Sequence, residues 1–223
     1  VSDTSDPTGD WDRFRIDVGI VTGANAFFTD YSTLGTDENG VYFGMTMFQD
    51  TGNDGTFNTS FAKIAATPKA SLISGTPSLG TVTQFSNITD MYSSPQPAHN
   101  QDDIGPSTAA WFVSSSASVF SNINYRKLTW SGGTPTLSST SVLTTSAFAA
   151  PLNAPASGSA TNINVGDQRL QMAVIRNNAL WTARQIGVNS SGTSTSADRT
   201  GVEWFQLNVT AATPTVTQTG RIF

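Results

Sequence analysis

The stretch DYSTLGTDENGVYFGMTMF, Asp30 to Phe48, decides the fold class. A turn rich in Asp, Asn and Gly divides it, and we expect Gly40 to supply the positive φ that a tight hairpin turn needs. In VYFGMTMF (41–48) the two alternating faces are both largely apolar, which predicts a strand covered on both sides. Glycine, β-branched and aromatic residues disfavour a helix here.

The same pattern of strands and short turns recurs along the chain. The segment DQRLQMAVIRNNALWTARQIGV (167–188) predicts two strands joined by a type I′ turn at Asn177 and Asn178. Further strands are predicted at TSFAKIAATP (59–68), TVTQFSNI (81–88), TAAWFVSSS (108–116), SNINYRKLTW (121–130), TLSSTSVLT (136–144), GVEWFQLNV (201–209) and TVTQTGRIF (215–223). A weakly marked strand is also predicted near 97–103. One helical turn is expected at 69–74.

These strands group into three four-stranded units, at about 30–90, 95–150 and 165–223, and an outer strand WDRFRIDVG (11–19) precedes them. Consecutive four-stranded antiparallel sheets packed face to face are the blades of a β-propeller, and they explain a strand that is apolar on both faces. The predicted fold is therefore an all-β propeller domain or segment over residues 1–223. A β-sandwich of about a dozen strands is the alternative.

A propeller closes with about four to eight blades. Three blades and one strand predict an incomplete ring, which further chain, another subunit or a second copy of the chain would complete. The alternative is that the irregular middle of the chain contains shorter blades, four in all. A homo-oligomer is one form of that completion.

Composition excludes several classes of function. Only 12% of the 223 residues are charged, the net charge is −5, and no cluster of Lys and Arg indicates a nucleic-acid partner. No apolar run is long enough for a membrane span. The chain has no cysteine and one histidine, His99, so thiol catalysis, a Ser-His-Asp triad at a G-x-S-x-G turn and a histidine-based zinc site are not expected.

Oxygen ligands in QDTGNDGTFN (49–58) make Asp50, Asn53 and Asp54 a candidate calcium site. The EF-hand spacing is not met, and Asp, Asn and Gly also populate turns for conformational reasons. A second acidic pair, Asp102 and Asp103, is a weaker candidate. No other cofactor is expected.

The chain has five tryptophans, Trp11, Trp111, Trp130, Trp181 and Trp204. All fall within predicted strands, where aromatic side chains fill the space between sheets. Trp130, next to the SGGTP turn (131–135), is the one considered as a platform for a sugar ring.

The segments DPTGDWDRFRIDV (6–18), FFTDYSTLGTDENGVYFGMTMF (27–48), 167–188 and 201–209 resemble a group of exported bacterial β-propeller proteins that are loosely similar to sialidase-like (BNR repeat) propellers. The resemblance runs from Asp6 to Phe223 and implies a propeller and export. It transfers no catalytic residue. A sialidase would need three arginines, a tyrosine assisted by a glutamate, and an acid/base residue, but only Glu38 and Glu203 could supply the glutamate and no intact Asp-box is present.

The leading hypothesis is a non-catalytic structural, adhesive or assembly module of a secreted or surface bacterial protein. The low charge and the acidic, lysine-poor composition are typical of such proteins. The alternative is a carbohydrate-binding or carbohydrate-active propeller with its site at the centre of the ring, for which a glycan is the partner. Enzymatic activity is not expected under the leading hypothesis.

Overall fold

The protein is represented by a computed structural model that describes residues 1–22, 25–50, 57–91, 93–102 and 109–223. Antiparallel β-strands dominate it, and the described residues contain a single helical turn, α1 (Lys69–Leu72), at the place where the sequence predicts one. The all-β prediction is confirmed. The strands form three five-stranded sheets, so the predicted number of four strands in each unit is wrong. Within the described ranges no helix is long and apolar enough to cross a membrane.

The first sheet follows the chain order. Its strands are β1 (Ile20–Thr22), β2 (Asn25–Thr36), β3 (Gly40–Asp50), β4 (Phe57–Pro68) and β5 (Thr83–Ile88). Each strand pairs antiparallel with the next, so β3 lies at the middle of the sheet.

The second and third sheets also form from consecutive strands, with one exception, a short strand that follows the first strand of the second sheet but pairs with the third sheet. The second contains β6 (Ser93–Pro97), β8 (Ala110–Ser115), β9 (Asn122–Ser131), β10 (Thr134–Leu137) and β11 (Ser141–Thr144). The third contains β7 (His99–Asn100), β12 (Leu170–Arg176), β13 (Ala179–Val188), β14 (Arg199–Asn208) and β15 (Thr215–Ile222). The exception is β7, which lies between β6 and β8 in the chain but pairs parallel with β12 of the third sheet.

The three sheets are stacked face to face, and the second sheet is covered on both sides. One core lies between the first two sheets and is formed by Tyr42, Ala62, Ile64, Ala66, Ile88, Met91, Ala110, Phe112 and Leu128. The next lies between the second and third sheets and is formed by Ala98, Trp111, Val113, Ile123, Tyr125, Leu170, Ala173, Ile175, Leu180, Phe205 and Leu207. Apolar side chains therefore alternate from one core to the other along β8 and β9.

Strand β3 is covered on both faces, as its sequence predicts. Tyr42 faces the second sheet and is fully buried, whereas Met45 and Met47 lie on the opposite face in a third apolar cluster. That opposite face is covered by the preceding segment of chain, since Val18 and Ile20 pack against the cluster.

The predicted outer strand at 11–19 is wrong. Trp11 makes one isolated bridge, and residues 12–19 are in no strand. Side chains of the first sheet donate hydrogen bonds to backbone carbonyls of this segment. Lys63 Nζ donates to the Val18 carbonyl at 2.6 Å, and Gln84 Nε2 donates to the Asp17 carbonyl at 2.9 Å. The segment is thus an extended cover on the face of the sheet, and its alternating apolar residues point toward that face.

The role predicted for Gly40 is also wrong, because its φ is not positive. The hairpin turn is held by the Asp37 carboxylate, whose Oδ1 accepts from the backbone N–H groups of Asn39 and Gly40 at 2.8 and 2.9 Å. A side chain at Gly40 would meet the rings of Trp130 and Tyr42 at 2.8 Å. Glycine is needed here for space.

The turn at Asn177 and Asn178 has the predicted conformation, with φ values of 53° and 59°. The two backbone N–H groups donate to the Asp102 carboxylate at 2.6 and 2.7 Å. Asp102, considered above as a weak calcium ligand, is therefore a cap for this turn.

A substitution at Gly44 tests whether the first two sheets approach each other as closely as the structure shows. A methyl group there would overlap the carbonyl oxygen of Pro95 in β6 and lie 2.7 Å from Thr33 Oγ1. Because backbone atoms cannot yield as a side chain can, we expect Gly44→Ala to lower the free energy of unfolding by about 1–3 kcal/mol. The measurement is denaturant unfolding, and Gly75→Ala, whose methyl group would meet nothing within 4 Å, is the control. Equal stability of the two variants would contradict the packing described here.

Candidate functional site

A polar cleft lies where β2, β6 and β12, one strand from each sheet, come together. Its closed part has a volume of about 40 Å³, enough for roughly one water molecule. It is lined by Asp30, Tyr31, Thr46, Phe48, Ser94, Asp167 and Arg169. An open part of about 640 Å³ adjoins it and adds Asn164, Val165, Gly166, Gln171 and Gln185. We call the two parts the central cleft.

Arg169 and Asp167 form a two-pronged ion pair at the start of β12. Arg169 Nε and Nη2 donate to Asp167 Oδ1 and Oδ2, both at 2.7 Å. These hydrogen bonds hold the pKa of the Asp167 carboxyl below its ordinary value and raise the pKa of Arg169. Asp167 therefore stays ionised, which does not suit a general acid near neutral pH.

The guanidinium of Arg169 also connects the three sheets. It lies 4.5 Å from the centre of the Tyr31 ring in β2, a cation–π contact. Its Nη1 donates to Ser94 Oγ of β6 at 3.3 Å, and Ser94 Oγ in turn lies 3.0 Å from Thr46 Oγ1. The Tyr31 hydroxyl donates to Gln171 Oε1 at 3.0 Å.

Tyr31 and Ser94 both have left-handed backbone conformations, each with φ of 49°. Non-glycine residues rarely adopt this conformation, and it costs about 1–3 kcal/mol at each position. Each lies in a bulge: the β2–β3 register shifts between Asp30 and Thr33, and the β6–β8 register shifts between Ser93 and Gln96. Bulges redirect side chains, and both of these direct polar groups toward the same cleft.

The cleft offers several kinds of hydrogen-bonding group in a small space. The carboxylates of Asp30 and Asp167 accept, the guanidinium of Arg169 donates, and the amides of Gln171 and Asn164 can do both. Tyr31 adds an aromatic ring. This combination suits a neutral ligand with several hydroxyl groups, held by both donors and acceptors, better than it suits proton transfer.

Glu203, one of the two glutamates considered for a sialidase-like role, is buried in a different place. Its Oε2 accepts from Arg184 Nε and Nη2 at 3.0 and 2.7 Å, and its Oε1 accepts from Arg221 Nε at 2.9 Å. The side chain of Arg184 is fully buried, and burial lowers its pKa although the Glu203 charge opposes that shift. Arg184 also donates to the Asn122 carbonyl and to Thr145 Oγ1, so this ion network joins the third sheet to the second.

The remaining candidates that the sequence predicts are the calcium ligands and His99. Asn53 and Asp54 lie outside the described residues, as does the side chain of Asp50, so the calcium prediction stays a prediction. Asp103, of the second acidic pair, also lies outside them. Among the residues that the structure does describe, no group of three or more His, Asp or Glu side chains could hold a metal ion. His99 lies in β7, where its Nδ1 is 2.9 Å from Thr36 Oγ1.

The expectation that all five tryptophans fill the space between sheets is correct only in part. Trp111 is buried between the second and third sheets, and Trp130 packs against the first core while its Nε1 donates to the Tyr42 hydroxyl at 2.8 Å. Trp181 and Trp11 are exposed. Trp181 lies on the face of the third sheet that is turned away from the second.

Sequence reasoning missed the central cleft. The signal available for it was the D-x-R spacing of Asp167 and Arg169 at the start of a predicted strand. Nothing in the sequence marks the bulges at Tyr31 and Ser94, since neither position holds glycine, asparagine or aspartate.

Comparison with protein-family models, with curated proteins and with solved structures finds no match to this chain. The resemblance to sialidase-like propellers is therefore still a prediction, and function has to be argued from the geometry.

The buried ion network provides a stability test. Glu203→Gln removes the negative charge and leaves Arg184 buried without a counter-ion, so we expect a loss of about 3–5 kcal/mol in the free energy of unfolding. Denaturant unfolding measures it, with Glu38→Gln in the exposed hairpin turn as the control. A loss no larger than that of the control would mean that Arg184 does not depend on Glu203.

Proposed function

We propose that the chain is part of a β-propeller and acts as a non-catalytic module, with a structural, adhesive or assembly role, of a secreted or surface bacterial protein. The observation that carries this proposal is the stack of sheets. Consecutive strands form antiparallel sheets, each sheet packs on the next through an apolar face, and one strand of each meets the others at a common cleft. Three stacked layers favour propeller blades over a two-layer sandwich.

The state of the acidic groups supports a role other than catalysis. Asp167 is paired with Arg169, Glu203 with two arginines, and Asp102 with a turn. Such pairing holds the three carboxylates in place, and for Asp167 it lowers the pKa, whereas acid–base catalysis of glycoside hydrolysis needs one carboxyl with a raised pKa. Export is supported by the composition and by the resemblance described above.

A hydrolysis assay tests this proposal. We expect wild-type protein to release no more product from a panel of polysaccharides and aryl glycosides than the Asp167→Asn and Asp30→Asn variants do. The assay measures reducing ends and released aglycone over a range of pH. Hydrolysis by the wild type that disappears in either variant would show an enzyme and overturn the proposal.

Carbohydrate binding is the second candidate function, and the central cleft is the observation that favours it. The cleft combines an aromatic ring, two carboxylates, a guanidinium and amides, and its open part is large enough for a monosaccharide unit. Bulges and left-handed residues at Tyr31 and Ser94 keep these groups in position at a cost in stability, which is typical of binding sites.

Binding to a glycan array, followed by titration of any positive sugar, tests the second candidate. Because hydrogen bonds to a charged group contribute about 1.5–3 kcal/mol, we expect Arg169→Ala to weaken binding by about tenfold or more. Arg199→Ala, which removes an exposed arginine paired only with its neighbour Asp198, should leave the affinity unchanged. An unchanged affinity in Arg169→Ala would place the sugar elsewhere.

A further inference from the structure

The third sheet has an apolar face that points away from the second sheet. Met172, Trp181, Val202 and Ile222 are 61%, 41%, 43% and 69% exposed, an unusual set of values for large apolar side chains on adjacent strands. Alternation along the strands places them opposite the core residues Leu180 and Phe205. We call this surface the tryptophan face.

The second sheet shows what covers such a face. Trp111 in β8 and Tyr125 in β9 form an aromatic pair with centroids 5.6 Å apart, and this pair is buried against the third sheet. Strands β13 and β14 occupy the same places in the third sheet, directly after its inner strand β12. They carry Trp181 and Trp204, stacked with centroids 6.0 Å apart and planes at 23°.

The two pairs are thus equivalent by position, but only the first is buried under another sheet. The side chains that cover the first pair are aliphatic and phenyl groups of a neighbouring sheet, such as Leu180 and Phe205. A fourth sheet with similar side chains is therefore the partner whose chemistry fits the tryptophan face.

The chain carries a face of that kind at the other end of the stack. The segment 12–19 covers part of the outer side of the first sheet. Beside it Leu34 is 61% exposed, and a groove of about 220 Å³ between the segment and the sheet is lined by Phe14, Ile16, Val18, Ser32, Phe43 and Met45. Phe43 and Met45 lie on the side of β3 that is turned away from the second sheet. We call this surface the leucine face; its groove is wide enough to receive a large apolar side chain.

Contact area distinguishes two ways in which copies could pair. The tryptophan face is four strands wide and reaches from about Ala179 to Gln185, roughly 19 by 24 Å, or about 450 Å². Two tryptophan faces packed on each other would bury roughly 900 Å² in total, below the roughly 1,200–2,000 Å² of stable interfaces. A pair of copies in which each tryptophan face meets the other copy's leucine face makes two contacts, and with both tryptophan faces fully covered these bury roughly 1,800 Å².

We infer that the tryptophan face docks onto the leucine face of a second copy of this chain, and that two copies related by a two-fold axis close a ring of six sheets. The inference rests on the proposed propeller fold, for which six blades lie within the usual range of about four to eight. Head-to-tail contacts of this kind close when the rotation permits, and here the closed form repeats the same contact twice.

The test is the mass of the chain in solution, measured by size exclusion with light scattering over a range of concentrations. We expect a species of twice the 23.5 kDa chain mass. Trp181→Asp and Leu34→Asp change opposite ends of the stack, and each should weaken dimerisation at least tenfold, since a buried charge would face an apolar partner. Val142→Asp, at an exposed apolar residue of β11 away from both faces, should leave the dimer intact.

Three different results would overturn the inferred docking. A chain that is monomeric at all concentrations overturns the inference, and so does a dimer that Leu34→Asp leaves intact, because that dimer would pack tryptophan faces together. Saturable binding of a polysaccharide that Trp181→Asp abolishes in a monomeric chain assigns the face to a sugar and also overturns it.

A further variant separates these outcomes from failure of the propeller proposal. Trp111 is buried between the second and third sheets, so Trp111→Asp should unfold the chain if the sheets are stacked as described. If the wild-type chain is monomeric and the Trp111→Asp variant is unfolded, only the inferred docking of two copies is overturned, and the stack of sheets stands. A Trp111→Asp variant that folds as the wild type does overturns the stack itself.

Discussion

The structure depends on the burial of a sheet that is apolar on both of its faces. Strands β8 and β9 place Phe112 and Leu128 on one side and Trp111 and Tyr125 on the other, and none of these side chains could face water without a large loss of hydrophobic stabilisation. Two sheets must therefore flank the second one. The second sheet therefore lies in the middle, with the first and third sheets on its two faces.

Close stacking places strict demands on the strands that meet at the cleft. Gly35 and Gly44 of the first sheet face Pro97 and Pro95 of β6, and a methyl group at Gly35 would lie 2.6 Å from the Pro97 carbonyl oxygen. Among the described residues β6 pairs only with β8, so it is an edge strand there, where proline costs no ladder hydrogen bond. Glycines on β2 and β3 let the backbone of β6, with its prolines, approach the first sheet closely.

The sequence predicts the parts of this fold that arise from local pattern. Alternation predicts strands such as β3, and the Asn177–Asn178 pair predicts its turn, because each depends on residues close in sequence. Polar and apolar residues alternate in the segment 12–19 as they do in a strand. Its carbonyls, however, accept hydrogen bonds from the Lys63 and Gln84 side chains, and no local pattern reveals these contacts. Gly40 is a similar case, since one of the two rings that leave no space for a side chain there is Trp130, which approaches from another sheet. The central cleft is the least predictable part, since Tyr31, Ser94 and Arg169 come from three sheets and meet only after stacking.

The position of the cleft is a consequence of the same stacking. Apolar side chains fill the space between the sheets, but where β2, β6 and β12 converge the bulges at Tyr31 and Ser94 interrupt regular pairing. The backbone strain there is supported by the Arg169 guanidinium, which contacts the Tyr31 ring and Ser94 while it is held by Asp167. A protein that needed only stability would relax these two positions, because each strained residue costs about 1–3 kcal/mol. Two strained residues next to a lined opening are the physical basis for proposing that the cleft binds a ligand.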